Sequence, residues 1–236
     1  MSLSSADITV VIPVYNGALY LAEAVESVRQ QSEPVGHIIL VDDGSTDATP
    51  EIAAAMCREQ RKPSVQYLRQ ENAGPASAMN QGAARVETGL IAFQSADDIW
   101  VPEKIACQLS ALEDGADLVF GHMQNFVSPE LDAATAASLR CPPDPMPGHN
   151  ATTLLTRLAA FRRVGPLDEG FRIGEFIDWY GRAIDLGLTS VMLPQVVAMR
   201  RLHGKNHSLS RKTEAVGYAH VLKAMLDRRR RRSGQP

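Results

Sequence analysis

The sequence predicts an α/β fold with a mostly parallel central sheet flanked by helices, and three observations support this prediction. Short β-branched runs alternate along the first half of the chain with longer stretches rich in Ala, Glu, Leu and Gln. This alternation requires right-handed crossovers between parallel strands. Polar residues follow the apolar runs, as they do at the carboxyl edge of an open sheet. The 236 residues, 44% of them hydrophobic, suffice for a single well-packed domain.

The first half divides into strands and helices in strict alternation. In the first predicted helix Leu19, Ala22 and Val25 recur at helical spacing, and Pro102 precedes the last one as a favourable start. The predicted strands are Ile8–Ile12, Ile38–Val41, Val65–Leu68 and Leu90–Phe93, and the predicted helices are Ala18–Gln30, Thr49–Glu59, Gly74–Val86 and Glu103–Glu113.

The second half is less regular. Residues Val127 to Asn150 include five prolines and show no period, which predicts a long loop over one face of the sheet. The elements expected after it are a helix near Thr156–Arg163, an amphipathic helix from Phe176 to Leu186, a strand pair in Val191–Met199 and a terminal helix over Glu214–Arg230.

The net charge of −3 gives no overall attraction to nucleic acid or to an anionic membrane. The three cysteines form no CxxC pair, and the sequence shows no secretory leader or apolar run near the ~20 residues of a membrane helix. We therefore expect a reducing, cytoplasmic setting. The run Arg228–Arg232 predicts a solvated tail, or a peripheral contact with the inner face of an anionic membrane.

Side chains with metal- and nucleotide-binding chemistry follow three of the predicted strands. They are Tyr15 after the first strand, Asp42 and Asp43 after the second, and Asp97 and Asp98 after the fourth. Clustered carboxylates repel one another unless a cation compensates them, and Mg²⁺ or Mn²⁺ leaves coordination positions open for substrate phosphates. Taken singly, each aspartate could instead be a turn residue, and Asp47 is predicted to cap the helix that follows it.

The same residues lie in sequence blocks that resemble family 2 glycosyltransferases, which have the GT-A fold. The blocks are VVIPVYNG, ILVDDGSTDAT, RQENAGPASAMNQG and GLIAFQSADDIWVPEKI, followed by weaker matches at RRVGPLDEGF, GEFIDWYGRA and RRLHGKNHS. The resemblance implies one GT-A domain over residues 1–236. Within it, about 6–125 would bind the nucleotide-sugar, about 126–212 would bind the acceptor, and 213–236 would form a terminal helix and basic tail.

The resemblance also implies an inverting transfer from a nucleotide-sugar, with a UDP-sugar favoured, to an unknown hydroxyl acceptor that is a glycan or lipid-linked. The resemblance further implies a divalent cation, Mn²⁺ or Mg²⁺, held by Asp98 and by His203. The residues implied for the nucleotide are Pro13, Tyr15, Asn16, Asp43, Gly74, Asn80 and Asp97.

The chain departs from the family pattern at Ser95, Met79 and Phe176, where many relatives carry Asp, Arg and Asp. The last departure concerns the catalytic base, because Phe176 stands where the resemblance expects it. Glu175 and Asp178 are the candidates, three residues apart on one helix face, and Glu175 is preferred. Both could instead be first-turn acids that favour the helix dipole.

Other interpretations of these patterns remain open. A non-catalytic nucleotide-sugar-binding protein would explain the three departures toward lower polarity, and a sugar nucleotidyltransferase would share a related sheet. The fingerprints GxGxxG and GxxxxGK[ST] are absent, which argues against dehydrogenases and P-loop enzymes. Arg200 and Arg201 are candidates to hold the diphosphate or to form a solvated basic face, and Trp179 is a candidate for the acceptor pocket.

Overall fold

The computed structural model describes residues 3–171, 173–204, 206, 219–228 and 230. Its strands are β1 (Ile8–Val14), β2 (His37–Asp42), β3 (Ser64–Arg69), β4 (Leu90–Phe93), β5 (Ile99–Trp100), β6 (Leu118–Val127), β7 (Met146–Pro147), β8 (Leu155–Arg157) and β9 (Ser190–Leu202). Its helices are α1 (Leu21–Arg29), α2 (Thr49–Arg58), α3 (Pro75–Ala83), α4 (Lys104–Glu113), α5 (Ala133–Ser138), α6 (Leu158–Val164) and α7 (Glu175–Asp185).

The strands form one sheet in the order β3-β2-β1-β4-β8-β6-β9-β5, with β7 paired to β6. Strands β1 to β4 pair in parallel register, and β6 pairs in parallel with β9. Only β5, β7 and β8 run the other way among the described strands. The predicted α/β fold with a mostly parallel sheet is confirmed.

Two buried clusters cover the two faces of the sheet, as the alternation of side chains along a strand requires. Val10 and Ile12 of β1 pack in the cluster that contains residues of α1, α2 and α4. Val11, between them, packs in the cluster that contains residues of α3, α6 and α7. The fold therefore has three layers, and the carboxyl ends of β1, β2, β4, β6 and β9 share one edge.

The elements predicted in the first half are confirmed, with small shifts at their ends. The first helix begins at Leu21 rather than Ala18, so Leu19 lies outside it and is 70% exposed. The third begins at Pro75, preceded by Gly74 with φ 95°. Proline at the first helical position needs no N–H partner, which explains why this helix starts there.

The second half requires three corrections. The segment predicted as a continuous loop contains α5, because the Asp132 carboxylate caps it by accepting from the N–H groups of Ala134 and Thr135, and it also contains β7. The predicted strand pair is the single strand β9, whose pairing with β6 is irregular opposite His122. Strand β6 itself was not predicted.

The remaining predicted helices are present. Helix α6 starts at Leu158, because Leu155–Arg157 pairs as β8, and α7 begins one residue before the predicted start. Residues 219–228 are helical, and residues 214–218 of the predicted terminal helix lie outside the described residues. Over the part of the chain that the structure describes, no helix combines the length and hydropathy that crossing a bilayer requires.

Candidate active site

The loop after β1 is held by the loop after β2. Asn16 has φ 51°, and its N–H donates to Ser45 Oγ at 2.9 Å. Its side-chain Oδ1 accepts from the N–H of Thr46 at 2.8 Å. These bonds fix the backbone beside Tyr15, whose side chain remains 54% exposed at the carboxyl edge of the sheet. Asn16 thus positions the loop, while Tyr15 presents an open ring.

The two aspartates that follow β2 have different surroundings. Asp42 is fully buried and accepts from Tyr67 Oη at 2.7 Å and from the N–H of Ser45 at 2.8 Å, so it stabilises the turn. Asp43 is 4% exposed and accepts from the N–H groups of Ala73 and Gly74, each at 2.8 Å.

The Asp43 carboxylate also accepts from Gln70 Nε2 at 2.7 Å through Oδ1. Among the described residues, Asp43 Oδ2 accepts one hydrogen bond, from the Gly74 N–H. Because a carboxylate oxygen can accept two hydrogen bonds, Oδ2 retains capacity for a donor from a ligand. The Asp43 carboxylate therefore holds the residues before α3 in position and can still accept a hydrogen bond from a ligand.

The acidic segment after β4 meets the end of β9. His203 Nε2 lies 3.1 Å from Asp97 Oδ2, and Asn206 Nδ2 donates to the same oxygen at 3.2 Å. The Asp97 side chain is 33% exposed, whereas that of His203 is 11% exposed. His203 was expected to share a metal ion with Asp98, but in the structure it contacts Asp97.

Asp98 lies deeper than Asp97. It is 6% exposed, and its Oδ1 accepts the N–H of Arg201 at 3.0 Å. Burial, followed by repulsion from Asp97, raises the pKa of the Asp98 carboxyl above its ordinary value. A buried carboxyl next to a second carboxylate gains from a nearby cation, since the cation would offset both effects.

Arg201 is a buried positioning residue that the sequence analysis did not identify as such. It is 3% exposed, donates from Nη2 to Glu23, and donates from Nε to the backbone oxygen of Asp97 at 3.0 Å. Its guanidinium carbon lies 4.7 Å from the ring centres of both Tyr20 and Phe126. Arg201 is therefore not part of a solvated basic face. Burial does not alternate regularly along β9, so no local pattern in the sequence indicated this role.

The arrangement of donors fits a cation shared with a substrate. In the described part of the chain, no group of three His, Cys, Asp or Glu side chains is placed to hold a metal ion. Asp97 and His203 offer a carboxylate and an imidazole, both acceptable to Mn²⁺, and phosphate oxygens commonly complete such a site. Ser95, in place of a further carboxylate, bonds Thr152 Oγ1 at 2.7 Å instead.

The two candidate bases lie in the first turn of helix α7 but have different surroundings. Glu175 is its first residue and is half-buried. Asp178 is 1% exposed, and its carboxylate accepts from Arg182 Nε at 3.0 Å and from Arg228 Nη1 at 2.6 Å. A carboxylate enclosed by two guanidinium groups is poorly available to an acceptor hydroxyl, so the geometry favours Glu175.

Phe176 and Trp179 belong to the core. The two rings stack at 5.6 Å, and Trp179 also stacks on Phe161 at 5.0 Å. Trp179 is fully buried and donates from Nε1 to Gly165 O at 3.0 Å, which corrects its assignment to an acceptor pocket. Phe176, 6% exposed, fills space that a charged base could not occupy without a partner.

Asn80 joins the two halves of the domain. Its Nδ2 donates to Leu167 O at 2.9 Å and to Glu169 Oε1 at 3.0 Å, and its Oδ1 accepts the N–H of Leu167 at 2.8 Å. Both ends of the amide are thus engaged by residues 167–169. These contacts give Asn80 a positioning role between α3 and residues 167–169.

A mostly parallel sheet with an acidic pair at its carboxyl edge defines this protein as one of the GT-A class. Residues 9–140, more than half of the chain, match the model of "Glycosyl transferase family 2". The chain belongs to glycosyltransferase family 2.

Known proteins with similar sequences carry related names. The chain is 36% identical over 120 residues to an uncharacterized glycosyltransferase of Rickettsia conorii, which covers 51% of this chain and 19% of that protein. It is 37% identical over 102 residues to the putative teichuronic acid biosynthesis glycosyltransferase TuaG of Bacillus subtilis, covering 43% and 40%. The chain thus spans less than half the length of either relative.

The fold matches solved structures at low sequence identity. Residues 1–349 of S. aureus TarS, crystallised with UDP-GlcNAc, superpose with a TM-score of 0.74 at 18% identity, covering 92% of this chain and 65% of that one. At this identity the likeness supports the fold alone, and it agrees with the GT-A fold expected from the sequence.

Proposed function

We propose that the chain is an inverting glycosyltransferase that moves a sugar from a metal-bound UDP-sugar to a hydroxyl acceptor. The observation that carries the proposal is the contact of Asp97 with His203 and Asn206 beside the Tyr15 loop. A Cβ placed on Gly17 of that loop would lie 3.6 Å from Ala96 Cβ, so the loop and the acidic segment are neighbours. UDP and UDP-GlcNAc are the ligands of the TarS crystals, which supports a UDP-sugar here.

The nucleotide would lie along the loops after β1 and β2. The exposed Tyr15 ring offers a surface for the base, and Pro13, near the end of β1, would lie close to the same base. Asp43 Oδ2 would accept an N–H of the base in addition to the N–H of Gly74. Among the described residues, nothing would lie within 4 Å of a Cβ on Gly74, so a ligand can approach its backbone closely. Asn16 and Asn80 would position these groups rather than contact the nucleotide.

Asp97 and His203 would hold a divalent cation, Mn²⁺ or Mg²⁺, together with the diphosphate. When bound, the cation would stabilise the charge that develops on the departing nucleoside diphosphate. Asp98, which the resemblance implied as the ligand, would instead support the site from below, because its carboxylate is buried and bonds the backbone of Arg201. Asn206 and Arg201 would keep Asp97 in place.

Glu175 would act as the general base. The acceptor oxygen attacks the anomeric carbon, its proton passes to Glu175, and the bond to the diphosphate breaks with its electron pair leaving on the nucleotide. Because α7 leads into the amino end of β9, its first turn lies toward the carboxyl edge, where the donor would be.

The decisive experiment measures UDP release from UDP-GlcNAc and UDP-glucose with Mn²⁺, using water as the acceptor. Glu175→Gln should lose at least ~100-fold of turnover and retain UDP affinity, since general-base catalysis contributes about 10²–10⁴-fold. Asp97→Ala should lose both turnover and Mn²⁺-dependent binding. Tight UDP binding without turnover in the unaltered protein would instead identify a non-catalytic nucleotide-sugar-binding protein.

The acceptor would be a glycan or a lipid-linked glycan. The name of TuaG, which refers to teichuronic acid biosynthesis, supports this class. A cytoplasmic enzyme of this kind could approach an anionic inner membrane surface through the arginines that follow Arg228. Vesicles containing anionic lipid should then retain the full chain and lose a chain shortened after residue 228, whereas equal retention would remove the membrane contact.

A further inference from the structure

The C-terminal helical segment, residues 219–228, contacts the first turn of α7 through an ion pair. Arg228 Nη1 donates to Asp178 Oδ1 at 2.6 Å, while Arg182 Nε donates to Oδ2 at 3.0 Å. Asp178 is 1% exposed, so this carboxylate joins two guanidinium groups with little access to water. One guanidinium belongs to α7 itself and the other to the C-terminal segment.

Apolar packing accompanies this ion pair. Val221 is 1% exposed, and Met225 lies over Gly181, where an added Cβ would stand 2.5 Å from Met225 Cε. Gly181 follows Asp178 by three residues and therefore shares its face of the helix. The C-terminal segment thus covers two successive turns of α7.

The first turn of α7 has no side-chain cap of its own. Its N-cap residue is Gly174, which has φ 86° and can offer no side-chain oxygen to the free N–H groups of the turn. Guanidinium groups donate only and cannot accept from these N–H groups, so the ion pairs of Asp178 with Arg182 and Arg228 hold the turn through its side chain instead. Glu175 is the first residue of the same turn.

We infer that Arg228 is a positioning residue for the catalytic base and that residues 219–228 belong to the catalytic domain. Arg228 fixes the first turn of α7 through Asp178, and the turn in turn fixes Glu175. The inference rests on the proposed function for its catalytic part. A base displaced by about 1 Å can lose ~100-fold in rate, so a small movement of this turn matters.

The experiment combines one measurement that needs no activity with one that does. Hydrogen exchange of the Asp178 amide, which donates to Gly174 O at 2.9 Å, and of the amides of residues 179–181 reports the stability of the turn, and UDP release from UDP-GlcNAc with Mn²⁺ reports catalysis. In Arg228→Ala the exchange of these amides should accelerate at least ~10-fold, and kcat should fall at least ~10-fold while UDP affinity stays within about twofold. Arg228→Lys keeps the positive charge, so it should retain part of the amide protection and part of the kcat that Arg228→Ala loses.

The matched control is Lys223→Ala, which removes a positive charge from an exposed position of the same segment. It should leave both measurements unchanged. Arg228→Gln replaces Arg228→Ala if the alanine variant does not fold. Unchanged exchange, or accelerated exchange with kcat within twofold of the original, would overturn the inference. An unaltered protein that turns over no donor would refute the proposed function, and exchange alone would then decide whether Arg228 fixes the turn.

Discussion

His203 Nε2 and Asp97 Oδ2 lie 3.1 Å apart although the two residues are separated by 106 positions in the chain. The contact brings the end of β9 onto the acidic segment that follows β4. Asn206 Nδ2 donates to the same Asp97 oxygen, so a single carboxylate oxygen has two partners from this segment. The His203 ring also packs on Tyr20, with 4.9 Å between ring centres. The acidic segment after β4 is therefore contacted by a segment from the second half of the chain.

Replacing His203 should weaken the binding of the cation and the nucleotide together. His203→Ala removes a proposed ligand and a partner of Asp97, and such changes typically cost about 10–100-fold in metal affinity. Titration of UDP in the presence and absence of Mn²⁺ measures the effect, which should appear only with Mn²⁺. His37→Ala, at the amino end of β2 on the opposite edge, is the control. Equal Mn²⁺-dependent UDP affinity in both variants would contradict a role for His203.

Removing the Arg201 side chain should destabilise the whole domain. Arg201 stacks on Tyr20 and Phe126 and donates to Glu23, so Arg201→Ala should lower the free energy of unfolding by about 2–4 kcal/mol. Arg201→Lys should recover little, because an ammonium group cannot make these planar contacts. Urea unfolding measures both. The exposed Arg85→Ala provides a reference with an expected change within about 0.5 kcal/mol, and an Arg201→Ala value in that range would refute the role.

The sequence was informative where the signal is local. Alternating β-branched runs predicted β1 to β4, and the position of Asp43 and Asp97 after their strands predicted that both lie at the carboxyl edge. The contacts of Arg201 could not be predicted, because they join residues far apart in the chain. The same holds for Asp178, whose partner Arg228 is 50 positions away and was assigned to a solvated tail.

The second half was harder to predict for a different physical reason. The prolines of residues 127–150 suppress any period, yet Asp132 suffices to cap α5 within that segment. Strand β9 lies between β6 and β5 and is one continuous strand with an irregularity in its pairing, where a strand pair was predicted in Val191–Met199. These strands are determined by their pairing with distant strands, and a short stretch of sequence does not reveal which strand will be the partner.

Restoring the family's aspartate at position 176 should damage the protein rather than improve catalysis. Phe176 is 6% exposed and packs on Trp179 and Phe120. Phe176→Asp would bury an unpaired carboxylate and open a cavity, so we expect a loss of at least ~3 kcal/mol of stability with no gain in turnover. Phe176→Leu should cost less. Thermal unfolding and UDP release measure both, and a stable Phe176→Asp variant with faster turnover would show that position 176 can carry the base.

The buried Lys104 should make the free energy of unfolding depend on pH above about 7. Lys104 is fully buried, lies 4.6 Å from the Trp100 ring centre, and donates to Gln108 Oε1 and to Thr153 O. Its partners are neutral, and burial lowers the pKa of its ammonium group to about 7. Above pH 7 the folded chain has released this proton, whereas the unfolded chain keeps it until about pH 10.4.

Stability should consequently rise as the pH increases from about 7 toward 10, because the unfolded state binds the extra proton in that window. The slope contributed by Lys104 can reach ~1.4 kcal/mol per pH unit. Lys104→Met should abolish this contribution, while the exposed Lys223→Met should retain it. Urea unfolding at pH 7, 8 and 9 measures the free energies, and equal slopes in the two variants would mean that Lys104 remains protonated in the folded protein.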